Sequence, residues 1–226
     1  MINLQPIKLL PARERVASAM RKAIIAQDMA EGEQITLDTI AGLLGVSRTP
    51  VREAFQMLEN EGLLKLTPNK GALVRGITPR TVREHFQIRA ALESEASATV
   101  CLIKADLKDI RDIVEQSEEV IANNELEEYS NLNQAFHVAI WTAADNIRMK
   151  NMLSVMWNGL SIRYMETLEE YAVKSFSEHK ELLARFEQGD ADGARAMMYR
   201  HIDRSMQDML TNILSKAGGK SSKSSQ

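Results

Sequence analysis

The segment TLDTIAGLLGVSRTPVREAFQMLENEGLL, which begins at Thr36, restricts the fold of this chain most strongly. It predicts two short helices in close succession. The first covers residues 37–44, with Thr36 as its N-cap and Gly45 at its end. The second starts at Thr49-Pro50, and its apolar residues follow the i, i+3, i+4, i+7 spacing of a helix with one buried face. We therefore expect the two helices to pack across a tight turn.

Ala41, Gly45 and Val51 have a spacing that is typical of a helix-turn-helix. The small side chain lets the helices cross closely, and the glycine adopts a left-handed turn at little cost. The β-branched valine then fills the interface from the second helix. Because the same geometry occurs in proteins that bind no DNA, a helical hairpin with a solvated basic face is the alternative.

The opposite face of the second helix carries side chains that suit DNA: Arg48, Thr49, Arg52 and Gln56. An arginine can contact guanine with two hydrogen bonds or a phosphate by its charge. Residues 63–75 alternate like a short hairpin, and Lys70-Gly71 at its tip suits a wing near the sugar–phosphate backbone. With a helix at 13–26, residues 1–76 are predicted to form a winged helix-turn-helix of three helices and a small hairpin.

Charge and composition agree with a DNA-binding module next to another domain. Residues 1–76 contain ten Lys and Arg against eight Asp and Glu, whereas the remainder contains 18 against 23. Cys101 is the only cysteine among 226 residues, so no intrachain disulfide can form. The sequence has neither a signal peptide nor an apolar run of eighteen residues, so we expect a cytoplasmic protein without a membrane span.

The rest of the chain lacks a strand pattern and is predicted to be helical. We expect an all-helical antiparallel bundle over residues 77–217, followed by a disordered tail at 218–226. The fold class is therefore mainly α. The predicted helices are 79–101, 106–122, 126–144, 147–172, 175–188 and 190–215.

Two histidines of the bundle are placed symmetrically about a predicted turn at Gln188-Gly189-Asp190. His179 lies eleven residues before Asp190, and His201 lies eleven residues after it. In an antiparallel hairpin such residues stand at the same height, about 16 Å from the turn. His179 and His201 are therefore expected to face each other.

A third helix offers two further ligands. Asn133 lies one turn before His137, so both side chains point the same way. Imidazole nitrogens with one oxygen ligand form a common divalent metal site. The alternative is that each histidine is a core residue, as we expect for His85, which we interpret as structural or solvated.

Arg89 and Glu93 share the buried face of the first long helix of the bundle. An internal i, i+4 salt bridge explains Glu93. Arg89 has a second interpretation, because a buried guanidinium near a metal suits a small carboxylate.

The run Ser47 to Ala54, SRTPVREA, resembles the most specific motif of the winged helix-turn-helix in the GntR family of bacterial transcription regulators. The resemblance implies that this motif contacts DNA through Arg48, Thr49 and Arg52, and that the wing enters the adjacent groove. Position 38 differs from some relatives, which have a basic DNA-contacting residue there. Asp38 is expected instead to favour the helix N-terminus.

The pieces N-x-x-F-H, E-H-x-x-L and G-D-x-x-G-A together with His201 resemble the FCD effector domain of the FadR-like GntR subfamily. In many relatives an Asp and three His bind a metal. The matching positions here are Asn133, His137, His179 and His201. We expect zinc, with nickel and manganese as alternatives, and a weaker site because an amide replaces the carboxylate. In relatives an arginine at the place of Arg89 helps to hold the effector.

These features predict a ligand-responsive repressor. A homodimer would place two recognition helices on a palindromic operator and be released by a small carboxylate bound at the metal. Two alternatives remain. A metal-dependent hydrolase lacks an evident general base, because Glu178 is predicted to point to a different face from His179. A constitutive DNA binder would use the metal only for stability.

Overall fold

The computed structural model describes residues 11–25, 28–68, 70–157 and 168–221. The chain divides into two compact units between Thr78 and Pro79. In the described part of the chain, no helix combines the length and apolar character that a membrane span requires.

The N-terminal unit has three helices and a small sheet among its described residues. Its elements are α1 (Ala12–Ile25), β1 (Gln34–Ile35), α2 (Leu37–Leu44), α3 (Arg48–Asn60), β2 (Leu64–Thr67) and β3 (Gly71–Val74). The β2–β3 hairpin is antiparallel as predicted, and β1 adds a third strand in the order β1-β3-β2. A Cβ on Gly71 would lie 2.1 Å from the Ile35 carbonyl oxygen, so β1 can approach only because a glycine stands there.

The predicted turn between α2 and α3 is confirmed in its main features. The hydroxyl of Thr36 accepts a hydrogen bond from the Thr39 amide at 3.1 Å, and Gly45 adopts the left-handed conformation with φ of 64°. One detail of the prediction is wrong, because Ser47 rather than Thr49 is the N-cap of α3. Pro50 then lies in the first turn of the helix, where its missing N–H costs nothing.

The core of this unit lies between α3, α1 and the sheet. Four buried side chains of α3 follow the predicted spacing: Val51, Ala54, Phe55 and Leu58. A bidentate ion pair also joins α1 to the end of α3, with Arg21 donating to both oxygens of Glu61 at 2.8 and 2.6 Å. The buried face of α3 is therefore held against α1 and the sheet.

The C-terminal unit is helical throughout its described residues. Its elements are α4 (Pro79–Leu102), α5 (Lys108–Ala122), α6 (Leu126–Ala143), α7 (Ile147–Met156), α8 (Leu168–Gln188) and α9 (Ala191–Ser221). The packing is centred on α4 and α9, with α6 and α8 against them. These four helices carry the predicted histidines, asparagine and arginine.

Two predicted helix boundaries in this unit differ from the structure. The helix predicted at 147–172 ends at Met156, and α8 runs without a break from Leu168 to Gln188. Residues 158–167 lie outside the described residues. The helix α9 continues through residues 218–221, which the sequence predicts to be disordered, and 222–226 lie outside the described part. The additional turn continues the hydrogen-bond ladder of α9, because extending a helix costs less than starting one.

Candidate nucleic-acid interface and metal centre

The exposed face of α3 forms one wall of an open groove in the N-terminal unit. Arg48, Arg52 and Gln56 line this groove from the helix, and Lys70 and Gly71 line it from the hairpin. The remaining predicted DNA-contacting residues are Ser47 and Thr49. They are exposed at the start of α3 but do not line the groove. The groove thus combines donor side chains of a helix with a basic hairpin tip.

The hairpin is anchored close to the start of α2. The side-chain amide of Gln34 donates to the carbonyl oxygen of Lys70 at 2.9 Å. Gly71 has φ of 92° and packs directly against β1. The backbone conformation and the close packing both require a glycine here, independently of any ligand. These contacts hold Lys70 beside the groove.

Sequence reasoning missed the contribution of α2 to this groove. Thr36, Leu37 and Asp38 line it as well. Asp38 was expected only to favour the helix N-terminus, but its carboxylate also lies 3.1 Å from Nε of Arg48. The only available signal was the proximity of the α2 N-terminus to the α3 N-terminus in a helix-turn-helix.

In the C-terminal unit, His137, His179 and His201 converge in the interior of the bundle. All three are buried, and one ring nitrogen of each lies within 4.8 Å of those of the others. The ring centroids of His179 and His201 are 5.0 Å apart, which confirms the predicted equal height across the turn. His179 stacks on Phe136 with centroids 3.9 Å apart, so its ring has a defined orientation.

Two carboxylates stand behind the histidines. Nδ1 of His137 lies 2.6 Å from Glu93, and Nδ1 of His201 lies 2.6 Å from Glu178. Since an ionised carboxylate only accepts hydrogen bonds, both Nδ1 atoms are the donors. In the neutral ring with its proton on Nδ1, Nε2 has a free lone pair. This is the arrangement that orients metal-binding histidines in proteins.

The inner nitrogens lack suitable partners within the protein. Nε2 of His137 and Nε2 of His201 face each other at 3.2 Å. Nε2 of His179 is buried and has no hydrogen-bond partner among the described residues. Two inner nitrogens that face each other and a third that has no partner are unfavourable in a dry interior unless a cation or a proton lies between them. The donor set therefore fits a divalent metal ion.

Asn133 and Arg89 border the same place. A cavity of about 10 Å³, enough for about one water molecule, is lined by both side chains together with His137, His201 and Trp157. The amide oxygen of Asn133 accepts a hydrogen bond from Ser175 at 3.3 Å. The guanidinium carbon of Arg89 lies 4.4 Å from the ring centroid of Trp157. All five residues predicted for metal and effector are thus brought together.

The two carboxylates remain ionised by virtue of their neighbours. Burial alone would raise the pKa of Glu93, but the charge of Arg89 and the hydrogen bond with His137 lower it to about 2. Burial likewise opposes ionisation of Glu178, and its hydrogen bonds with His201 and Arg204 lower its pKa. Both groups can therefore accept hydrogen bonds over the whole physiological pH range.

Burial keeps two of the histidines neutral. It lowers the pKa of His201 to about 4, despite the hydrogen bond to Glu178 that favours the charged form. It also holds the pKa of His179 well below 6.5, reinforced by the neighbouring His201 and His137. A neutral imidazole is the form that binds a metal.

The contacts of two carboxylates in this centre were only partly predicted from the sequence. Glu93 forms the predicted i, i+4 pair with Arg89 at 2.7 Å, but it also binds His137 and accepts from Trp141 at 3.1 Å. Glu178 was predicted to point to a different face of its helix from His179, and its contact with His201 on the neighbouring helix was not foreseen. It binds His201 and is held in turn by two hydrogen bonds from Arg204. His85 stays outside the cluster, as predicted, and burial lowers its pKa to about 3.

After metal removal by a chelator, the free energy of unfolding is expected to decrease as the pH falls from 6.5 towards 4. The unfolded chain takes up protons at a histidine pKa near 6.5, whereas folded His201 does so only near 4. The stabilisation is thus complete above pH 6.5 and is lost on acidification. His201 alone accounts for up to about 3 kcal/mol. Urea unfolding at pH 7.5, 6 and 5 measures the change, and equal stabilities would contradict the neutral buried form.

Comparison with known proteins gives matches to both units. Residues 12–74 match the bacterial regulatory proteins of the gntR family, and residues 84–204 match the FCD domain. FCD domains are known to bind metals. The two matched segments correspond to the two compact units.

Two curated relatives come from Bacillus subtilis strain 168. The HTH-type transcriptional regulator YdhC is 34% identical over 138 residues, which is 59% of this chain and 61% of YdhC. The gluconate operon transcriptional repressor is 31% identical over 150 residues, which is 65% of this chain and 59% of the repressor. The matched segment thus covers about three fifths of each of these relatives.

Among solved structures, Escherichia coli McbR/YncC has the same fold, with a TM-score of 0.70 at 19% identity. The similarity covers 91% of this chain and all of that one. The family and its relatives are transcription regulators and not enzymes, which excludes the hydrolase interpretation. The chain is therefore a DNA-binding transcription regulator of the GntR family, with a winged helix-turn-helix followed by an FCD domain.

Proposed function

We propose that this regulator is a repressor whose DNA affinity is controlled by a small carboxylate bound at a metal centre. The observation that carries the proposal is the convergence of three buried imidazoles, two of which bind carboxylates through their outer nitrogens while their inner nitrogens face the cluster. A buried constellation of this kind beside an arginine-bordered cavity has the composition of a ligand site. A cytoplasmic location, where bacterial DNA lies, is part of the proposal.

The metal would be held by His137, His179 and His201, with the Asn133 amide oxygen as a fourth ligand. Zinc is the expected ion, with nickel and manganese as the alternatives, because imidazole suits zinc and nickel and a carbonyl oxygen such as that of Asn133 suits manganese. A bound divalent ion supplies positive charge and an open coordination position for an anionic ligand. The neutral amide of Asn133 attracts a cation less than a carboxylate would, so we expect easier removal by chelators.

Arg89 is the proposed anchor for the effector carboxylate. Its Nε is engaged by Glu93, while its guanidinium borders the cavity beside His137 and His201. The two remaining nitrogens of a guanidinium form a fork that matches a carboxylate. One similar protein regulates a gluconate operon by its name, and gluconate is itself a carboxylate.

The size of the cavity suggests how binding would be coupled to a change of conformation. A space of about 10 Å³ holds about one water-sized group, so a carboxylate enters only if lining side chains such as Trp157 move. A ligand that requires such a rearrangement favours one arrangement of the protein over another. We propose that this difference is transmitted to two DNA-binding units of a homodimer on a palindromic operator.

A thermal-shift screen of small carboxylates, run with zinc and again with a chelator, tests the effector proposal. We expect a carboxylate, gluconate being the first probe, to raise the melting temperature only in the presence of metal. In Arg89→Lys the shift by the carboxylate should be lost while the shift by zinc persists, because lysine keeps the charge but not the fork. Stabilisation by zinc without a response to any carboxylate would instead support a purely structural metal and a constitutive DNA binder.

A further inference from the structure

An acidic side chain lies within the otherwise basic groove of the N-terminal unit. Asp38 and Arg48 form an ion pair between the first turns of α2 and α3, with Oδ1 3.1 Å from Nε. Their side chains are 71% and 61% exposed. Both line the groove together with Arg52 and Lys70. A carboxylate here would repel the phosphates that the three cations attract.

Stability of the fold does not explain this ion pair. An exposed pair of this kind contributes little to folding, because water and salt screen it. The start of α2 is already capped by the hydroxyl of Thr36. The helix N-terminus accounts for an acidic residue at this position but not for its pairing with Arg48, so a role in the groove is the better explanation for the pair.

The ion pair with Asp38 involves Nε of Arg48 and not the terminal nitrogens that would contact a base. Asp38 lies against the inner nitrogen Nε, and among the described residues no ion pair or hydrogen bond involves the two terminal nitrogens of the guanidinium. Two parallel donors are what guanine O6 and N7 accept in the major groove. An arginine without such a neighbour can rotate freely and contact a phosphate of any sequence.

We propose that Asp38 is a specificity-determining residue of this regulator, which positions Arg48 for a base edge and discourages its use as a phosphate contact. The proposal rests on the groove between α3 and the hairpin being the surface that binds DNA. Asp38 thereby reduces affinity for DNA in general and increases the difference between operator and other sequences. It acts through Arg48 and is a positioning residue for base recognition.

The test uses the full-length protein and duplexes selected by the wild type from a random pool, each with a scrambled duplex of the same composition. Asp38→Asn keeps the size of the side chain and removes its charge. We expect tighter binding to the scrambled duplex and a preference for the selected duplex that falls about tenfold. The slope of log affinity against log salt should steepen by about one, since Arg48 then neutralises one more phosphate.

Asp28→Asn is the matched control, because Asp28 is exposed in the same unit and does not line the groove. The proposal is overturned if the preference and the salt slope of Asp38→Asn equal those of the wild type, or if Asp28→Asn changes them equally. Arg52→Ala, measured on the same duplexes, separates the two levels of failure. If Arg52→Ala loses the preference and Asp38→Asn keeps it, only the role of Asp38 is wrong. If Arg52→Ala keeps the preference, the proposed interface is wrong and the role of Asp38 with it.

Discussion

Replacing His179 by alanine is expected to reduce the metal content of the purified protein from about one ion per chain to nearly none. The inner nitrogen of His179 is buried and has no hydrogen-bond partner among the described residues, so the proposed metal ion is the partner that would satisfy it. Loss of a supporting outer partner of a metal ligand typically costs 10- to 100-fold in affinity. Loss of the ligand itself should cost at least about 100-fold.

Elemental analysis and zinc titration followed by melting temperature measure this effect. His85→Ala is the matched control, because His85 also has a buried nitrogen without a described partner but lies outside the cluster. It should retain the metal and the stabilisation by zinc. If His179→Ala binds zinc as tightly as the wild type, the histidines are core residues and the metal centre must be abandoned. The DNA-binding function would be unaffected by that result.

Replacing Arg52 by alanine is expected to weaken operator binding at least tenfold and to leave the metal content unchanged. Arg52 lies in the middle of the exposed face of α3 and lines the groove with Arg48 and Gln56. A bidentate contact between an arginine and guanine contributes about 1 to 3 kcal/mol of discrimination. A tenfold change corresponds to about 1.4 kcal/mol and lies within that range.

Fluorescence anisotropy with a duplex selected from a random pool measures the loss. Lys22→Ala is the control, because Lys22 is exposed on α1 and does not line the groove. It removes the same charge and should change affinity only slightly. Sequence-specific binding by Arg52→Ala at the level of the wild type would show that α3 is not the recognition helix.

The helix-turn-helix was predictable because its determinants are local. The cap at Thr36, the left-handed Gly45 and the spacing of buried residues on α3 each depend on residues a few positions apart. The strand β1 was missed for the opposite reason. Two residues have no detectable periodicity, and β1 exists because Gly71, 36 positions after Ile35 in the chain, lets the strands approach.

The histidine cluster shows which contacts can be predicted from the spacing of residues along the sequence. Equal distance from a helical turn predicted that His179 and His201 meet, and their ring centroids lie 5.0 Å apart. Glu178 was placed on a different face from His179, because neighbouring residues of a helix point about 100° apart, and its contact with His201 was therefore missed. Glu178 and His179 nevertheless both lie beside His201. The ring of His201 has one nitrogen towards Glu178 and the other towards the inside of the cluster.

The sequence by itself determined the family, the order of the elements and which side chains face inwards. Those properties follow from capping, periodicity and turn residues, which act over a few positions. Only the tertiary structure decided which charges pair, as with Glu93 and His137, which are 44 positions apart, and with Asp38 and Arg48. Such pairs depend on the rotation and crossing of whole helices, and a shift of about 1 Å makes or breaks a hydrogen bond. A local pattern does not specify these variables.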